Sequence, residues 1–250
     1  PAPVDIITGS DFVTQGAMDL PDMIRTLVPS FNVGTQPISD AATLIRPANL
    51  RGLPPDNMLV LVNGKRRHRG AVISFLGSGI SDGAQGPDIS AIPSIALKQV
   101  EVLRDGASAQ YGSDAIAGIM NFVLRDDSEG TQLEIRTGEY KEGDGDAWRV
   151  AANIGMPFTS AGFANFSFEL QDSQATSRSV QRADAQGLYD GGNTAIWNYP
   201  EPAQIWGSPD VSDDYKFVVN IGLSLDESKD FYLFGNYGER NVLGGFFFRN

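Results

Sequence analysis

From residue 129 onward, apolar and polar side chains alternate along segments about ten residues long, and no other feature constrains the fold as tightly. Trp148, Val150, Ala152, Ile154 and Met156 share one parity. Ala164, Phe166, Phe168 and Leu170 alternate with Asn165, Ser167 and Glu169, and Tyr215, Phe217, Val219, Ile221, Leu223 and Leu225 with Lys216, Asn220, Ser224 and Asp226. Successive residues of a strand point to opposite faces, so each segment presents one apolar face and one polar face. Strands are expected over 131–140, 147–156, 162–171, 215–226 and 231–240. Such lengths suit a tilted strand crossing a bilayer, which needs ~9–11 residues. Connections alternate as well: 141–146 (KEGDGD) and the long 172–214 segment fall at one end, 158–161 (FTSA) and 227–229 (ESK) at the other. Membrane barrels pair short turns with long loops in this way. A soluble β-sandwich also alternates, so periodicity alone leaves both folds open. Phe234 breaks the pattern in the last segment.

Residues 1–128 read differently, as a small α+β unit. Val4–Ile7 is strand-like. Asp19 can cap a helix that has Pro21 in its first turn, with Leu20, Ile24 and Leu27 on one face and Pro29 as its stop. In NMLVLVNGKRR, Asn57–Arg67, a β-rich run meets Asn63-Gly64, which favours a type I′ hairpin. Residues 70–90 are Gly-rich and long for an ordinary connection, as functional loops are. Two further strands, Gln99–Leu103 and Ile119–Leu124, enclose a segment built mostly of Gly, Ala, Ser and Asp.

Composition removes several classes of function. A net charge of −12 over 250 residues argues against a nucleic-acid binder. With no cysteine there is neither a disulfide framework nor a thiolate metal site. His68 is the only histidine, so no His-based metal centre or triad is expected, and no nucleophile elbow or phosphate loop is present. No enzyme activity and no cofactor are called for.

LVLVNGKRR (Leu59–Arg67), then IPSIALKQVEVLRDGASAQYGSDAIAGIMNFVL (Ile92–Leu124), resembles the plug domain of the TonB-dependent outer-membrane receptors. NLRGL (Asn49–Leu53) and PVDIITGSDFVTQGAMDLPDMIRTLVPSF (Pro3–Phe31) fit the same pattern. One departure is Asp105, with Gly106 following it. The resemblance implies an α+β plug over 1–128, then antiparallel strands of an incomplete transmembrane β-barrel over 129–250. About five of the roughly 22 strands of such plugged barrels would be present. It further implies a receptor in the cell outer membrane, in contact with lipid, that takes up a scarce solute such as a ferric siderophore, a cobalamin or a saccharide. The partner TonB would engage a segment upstream of residue 1. The alternatives are a soluble periplasmic or secreted β-rich binding module and a plug-bearing signalling receptor.

Candidate site residues follow. Arg66, Arg67, His68 and Arg69, with Lys65, form the one dense basic run and suit an anionic ligand or chelate. Trp197 and Trp206, in the 172–214 segment, can stack on sugars or planar chelates. The run is expected at the same end as 172–214; a position beside 158–161 would refute that placement. Arg51 and Arg104 match plug arginines that pair with wall glutamates in the family. Gly112 and Gly118 are expected to keep the plug thin where backbones approach closely.

Overall fold

The computed structural model describes residues 4–34, 42–74, 79–104, 107–193, 195 and 207–245. In chain order the first part holds β1 (Val4–Thr8), α1 (Gly9–Val13), α2 (Leu20–Leu27), β2 (Phe31–Val33), α3 (Ala42–Ile45), β3 (Ala48–Leu50), β4 (Met58–Val62), β5 (Lys65–Arg66), β6 (Leu97–Leu103), α4 (Ala107–Tyr111) and β7 (Gly118–Leu124). The Asp19 side chain accepts the Asp22 backbone N–H at 3.1 Å and opens α2, and Pro21 sits in the first turn, where it lacks only a donor the helix cannot use. Leu20, Met23 and Ile24 are buried.

Five strands pair in the order β1-β6-β7-β4-β5, with β4 and β7 parallel and the remaining pairs antiparallel. Asn63 and Gly64 both take positive φ, at 47° and 74°, as a type I′ turn requires. Val60, Val62, Val100, Val102, Met120 and Phe122 form the core with α2 and β2. Within the small-residue segment, α4 and a 3-10 turn at Ser113–Ala115 stand where only a thin turn was expected.

The second part is a meander. β8 (Thr131–Gly138), β9 (Ala147–Pro157), β10 (Gly162–Ser173), β11 (Asp210–Asp226) and β12 (Lys229–Leu243) pair antiparallel in sequence order, and α5 (Ala183–Asp190) lies between β10 and β11. The sheet is open among the described residues, its first and last strands unjoined.

Its two faces have reversed polarity. Arg149, Asn153, Asn165, Ser167, Glu169, Lys216 and Asn220 are buried against the first part. Leu133 and Ile135 are 64% and 68% exposed, and Trp148, Ile154, Met156, Phe168, Phe217 and Leu225 share that outer face. A sandwich would bury the apolar face and wet the polar one. This sheet does the opposite, as a wall in lipid around a polar interior must. The sandwich alternative is therefore wrong for this chain. The anomaly at Phe234 is also resolved: in β12 the parity of Tyr232, Phe234, Asn236 and Arg240 faces inward. Phe234 packs on the core of the first part, and Lys65 lies over the Tyr232 ring at 5.7 Å.

Candidate functional site

The geometry gathers at the seam between the two parts. Along the inner row of β8, Gln132 accepts from Arg125 Nη2 at 2.6 Å and donates to Glu134 at 2.9 Å. Glu134 accepts from Arg149 Nη1 at 3.1 Å. Arg149, fully buried in β9, donates through Nε and Nη2 to Glu169 in β10 at 2.9 and 2.5 Å and through Nη2 to Ser94 Oγ of the first part at 2.7 Å. Lys216 in β11 closes the cluster, 2.7 Å from Glu169 and 3.5 Å from Asp214. Buried charges of this kind persist only when each finds a partner. Alternation puts Arg149, Glu169 and Lys216 on one face, and antiparallel register sets Arg149 opposite Gln171 and Glu169 opposite Lys216.

Single hydrogen bonds extend the seam to both ends. Asn220 Nδ2 donates to the Arg125 carbonyl at 2.9 Å, and Asn63 Nδ2 to Asn220 Oδ1 at 3.3 Å. Arg240 of β12 donates to the Leu44 carbonyl at 2.6 Å and to Ser90 Oγ at 2.7 Å. Polar contacts can be exchanged for water at small net cost, whereas apolar packing cannot. The seam is mostly polar, with Val218 and Phe234 as apolar contacts to the core of the first part.

A cavity of about 980 Å³ opens at the end with the long connections, lined among others by Asp19, Asp22, Arg46, Tyr140, Arg178 and Arg240. Arg46 ion-pairs with Asp19 and lies 3.0 Å from Asp22. Burial pushes Asp19 up, but the Arg46 charge, the hydrogen bonds with Asp22 and the Lys216 charge together outweigh it and hold the carboxyl below its ordinary value. One arginine cannot satisfy two carboxylates fully, and burial, then the Asp19 charge, pushes Asp22 up to about 6. A folded value above the unfolded one means that the ionised form opposes folding. The penalty is absent below about pH 4, grows as pH rises towards 6, and is complete above it. Asp22→Asn is expected to raise stability at pH 7 by about 1–2 kcal/mol, after discounting for partial exposure. It should change little at pH 4, whereas Asp19→Asn destabilises at pH 7. Urea melts at the two pH values read this directly; equal losses for both variants at pH 7 would contradict the assignment.

The basic run lies elsewhere. Lys65 lines a second cavity, about 570 Å³, with Ala161, Gly162, Phe163, Phe231 and Tyr232, beside the 158–161 turn. The expected placement at the long-connection end is corrected for the hairpin tip: β4 carries the chain towards the short turns, the two-residue turn reverses it there, and Arg67 comes back level with Asn236, midway along β12. Arg66 pairs with Asp114, Arg67 donates to Asn236 Oδ1 at 2.7 Å, and Arg69 lies 3.7 Å from Asp56. His68 is exposed. Trp197 and Trp206 fall outside the described residues. Arg51 Nη1 donates to the Arg104 carbonyl at 2.7 Å, and Arg104 pairs with Asp5 and donates to Ser30 at 3.2 Å, so the two arginines meet. At Gly118, φ is 135° and an added Cβ would stand 2.5 Å from the Leu103 carbonyl; at Gly112, φ is 85° in open space.

The TonB-dependent Receptor Plug Domain family model matches residues 1–119. The match covers the α+β sheet as far as the start of β7 and ends before the wall of reversed polarity begins at β8. Residues 1–119 are a TonB-dependent receptor plug domain. "Ferric enterobactin receptor PirA" of Pseudomonas aeruginosa is 30% identical over 162 residues, covering 63% of this chain and 21% of that protein. "Probable TonB-dependent siderophore receptor PirA" of Acinetobacter baumannii is 29% identical over 142 residues, covering 56% and 18%. The crystal structure of a mutant ferric enterobactin receptor from Pseudomonas aeruginosa, PfeA, in complex with enterobactin superposes with a TM-score of 0.70 at 19% identity, over 97% of this chain and 34% of that one. The siderophore receptor PirA from Acinetobacter baumannii gives 0.67 at 20%, over 96% and 32%. The chain thus spans about a fifth of its curated relatives and about a third of the solved chains. As a TonB-dependent receptor segment it resides in the outer membrane, with its plug sheet seated on the polar face of the wall. Residue patterns alone did not single out Arg136, Arg149, Glu169, Lys216 or Arg240 as seam residues. Polar residues of matching parity within apolar strands were the available signal.

Proposed function

We propose that this chain supplies the plug, 1–128, and the first five wall strands, 129–250, of an outer-membrane receptor that takes up a ferric siderophore. TonB, acting on a segment ahead of the plug, supplies the energy. The reversed polarity of β8–β12 carries the membrane reading: an apolar outer face against a buried row of Arg149, Asn153, Glu169 and Lys216. The relatives named as ferric enterobactin and siderophore receptors favour an iron chelate as cargo. Both cavities adjoin the plug–wall seam, and their charged linings are compatible with passage of a polar solute.

The test is uptake. In iron-starved cells lacking this receptor, accumulation of radiolabelled iron from a panel of catecholate, hydroxamate and mixed chelates is measured with and without TonB. Loss of uptake for one chelate, restored by the gene only when TonB is present, is the expected result. Undiminished uptake of every chelate, with loss of cobalamin or oligosaccharide uptake instead, would overturn the siderophore reading.

A further inference from the structure

One wall side chain holds the plug by its backbone. Arg136, on the inner row of β8, donates from Nη1 to the carbonyls of Gln15 at 2.6 Å and Ala17 at 3.1 Å, and from Nη2 to those of Phe12 at 3.0 Å and Val13 at 3.4 Å. Phe12 and Val13 end α1, where the last carbonyls of a helix have no partner within it. Gln15 and Ala17 lie in the connection between α1 and α2. The planar guanidinium offers five donors in a fixed fork, which a lysine ammonium cannot imitate. Arg136 is itself held from the wall side: Glu134 lies 3.3 Å away and is fixed by Gln132 and Arg149. Ahead of this point lie β1, whose one strand partner among the described residues is β6, and the five-residue α1. Beyond it, Asp19 caps α2 and pairs with Arg46.

We infer that Arg136 is a clasp that sets how much of the plug leaves when its N-terminal end is drawn away. This rests on the reading above that the pull comes from upstream. Tension first strips β1 from β6, then opens α1, then meets four charge-assisted hydrogen bonds at Phe12–Ala17. While the clasp holds, α2 stays folded and β6, β7, β4 and β5 keep their pairing. When it yields, the α1–α2 connection follows and the cavity bordered by Gly16, Ala17 and Met18 opens.

The experiment uses the full-length receptor in a lipid bilayer, its N-terminal end attached to a force probe. For the wild type the first extension should be roughly 40 Å, about a dozen residues at full stretch, followed by a separate force peak. Arg136→Gln should lose that peak, the first extension running on past Ala17, and Arg136→Lys should lower it. If the glutamine variant does not assemble, the lysine variant decides, because it keeps the charge and loses the fork. A peak of unchanged height in an assembled variant, or a wild-type extension that passes Ala17 without one, would overturn the clasp. The instrument supplies the pull, so neither ligand nor TonB enters the measurement. Failed iron uptake with an intact peak would sink the functional reading and leave the clasp standing.

Discussion

Glu169→Leu is expected to destabilise the seam by about 3 kcal/mol, the low end of the range for breaking a buried ion pair. The substitution removes three charge-assisted bonds, two from Arg149 and one from Lys216. Both cations stay buried, and neither can move to water without shifting the strands. The low end applies because Glu134 still serves Arg149 at 3.1 Å and Asp214 still serves Lys216 at 3.5 Å. Glu169→Gln should cost less, since an amide oxygen still accepts. Replacing Arg149, Glu169 and Lys216 together by apolar residues of similar volume should recover much of the loss, because well-packed apolar residues often match a buried ionic cluster. Urea unfolding of the detergent-solubilised receptor measures all three. If Glu169→Leu melts with the wild type, the cluster contributes nothing to stability and the seam is held by its single hydrogen bonds.

Gly118→Val should be the more damaging of two glycine substitutions that look alike in sequence. At Gly118 a Cβ would stand 2.5 Å from the Leu103 carbonyl oxygen, 2.8 Å from Leu50 Cδ2 and 3.3 Å from Arg104 Cα, at a φ of 135°. Two of those atoms are backbone and cannot yield without moving β6 away from β7. Strain and overpacking together place the loss at about 4 kcal/mol. Gly112 has a φ of 85° with a ψ of −167°, a region open essentially to glycine, and nothing within 4 Å, so Gly112→Ala costs only the conformational strain, about 1–3 kcal/mol. Ser113→Ala is the control, with little change. Denaturant midpoints give the order, and equal small shifts for Gly118→Val and Ser113→Ala would show that close approach is not what the glycine provides.

Much of the fold is legible in the residues because its signals are local. Period-2 alternation marks β9, β10 and β11, Asn63-Gly64 marks the hairpin, and Asp19 with Pro21 marks the start of α2. The helices α1 and α4, five residues each, are too short to show a 3.6-residue period. The site is less legible, because its chemistry depends on register. Glu169 and Lys216 stand out as polar residues in apolar strands, but nothing local says that they lie opposite one another or that Arg149 reaches both Glu169 and Ser94. Arg136 is harder still: its partners are main-chain carbonyls, which leave no trace in side-chain pattern. The placement of the basic run was hard to read for the converse reason. Four adjacent cations and a histidine look like one patch until tertiary structure pairs Arg66 with Asp114 and turns Arg67 towards Asn236.

The two sheets also differ in how far apart along the chain their paired strands lie. Among the described residues every pairing in the wall joins consecutive strands, whereas in the plug Val4 pairs with Leu103 and Met58 with Gly118, across a crossover connection. Closing long loops delays such contacts, and parallel pairing adds to the delay. Hairpins of the wall can therefore form in sequence and quickly, while the plug sheet completes only once β6 and β7 are both in place. The wall hairpins that follow in the chain are the faster structures, and the slow sheet comes together against a polar surface that already exists to receive it.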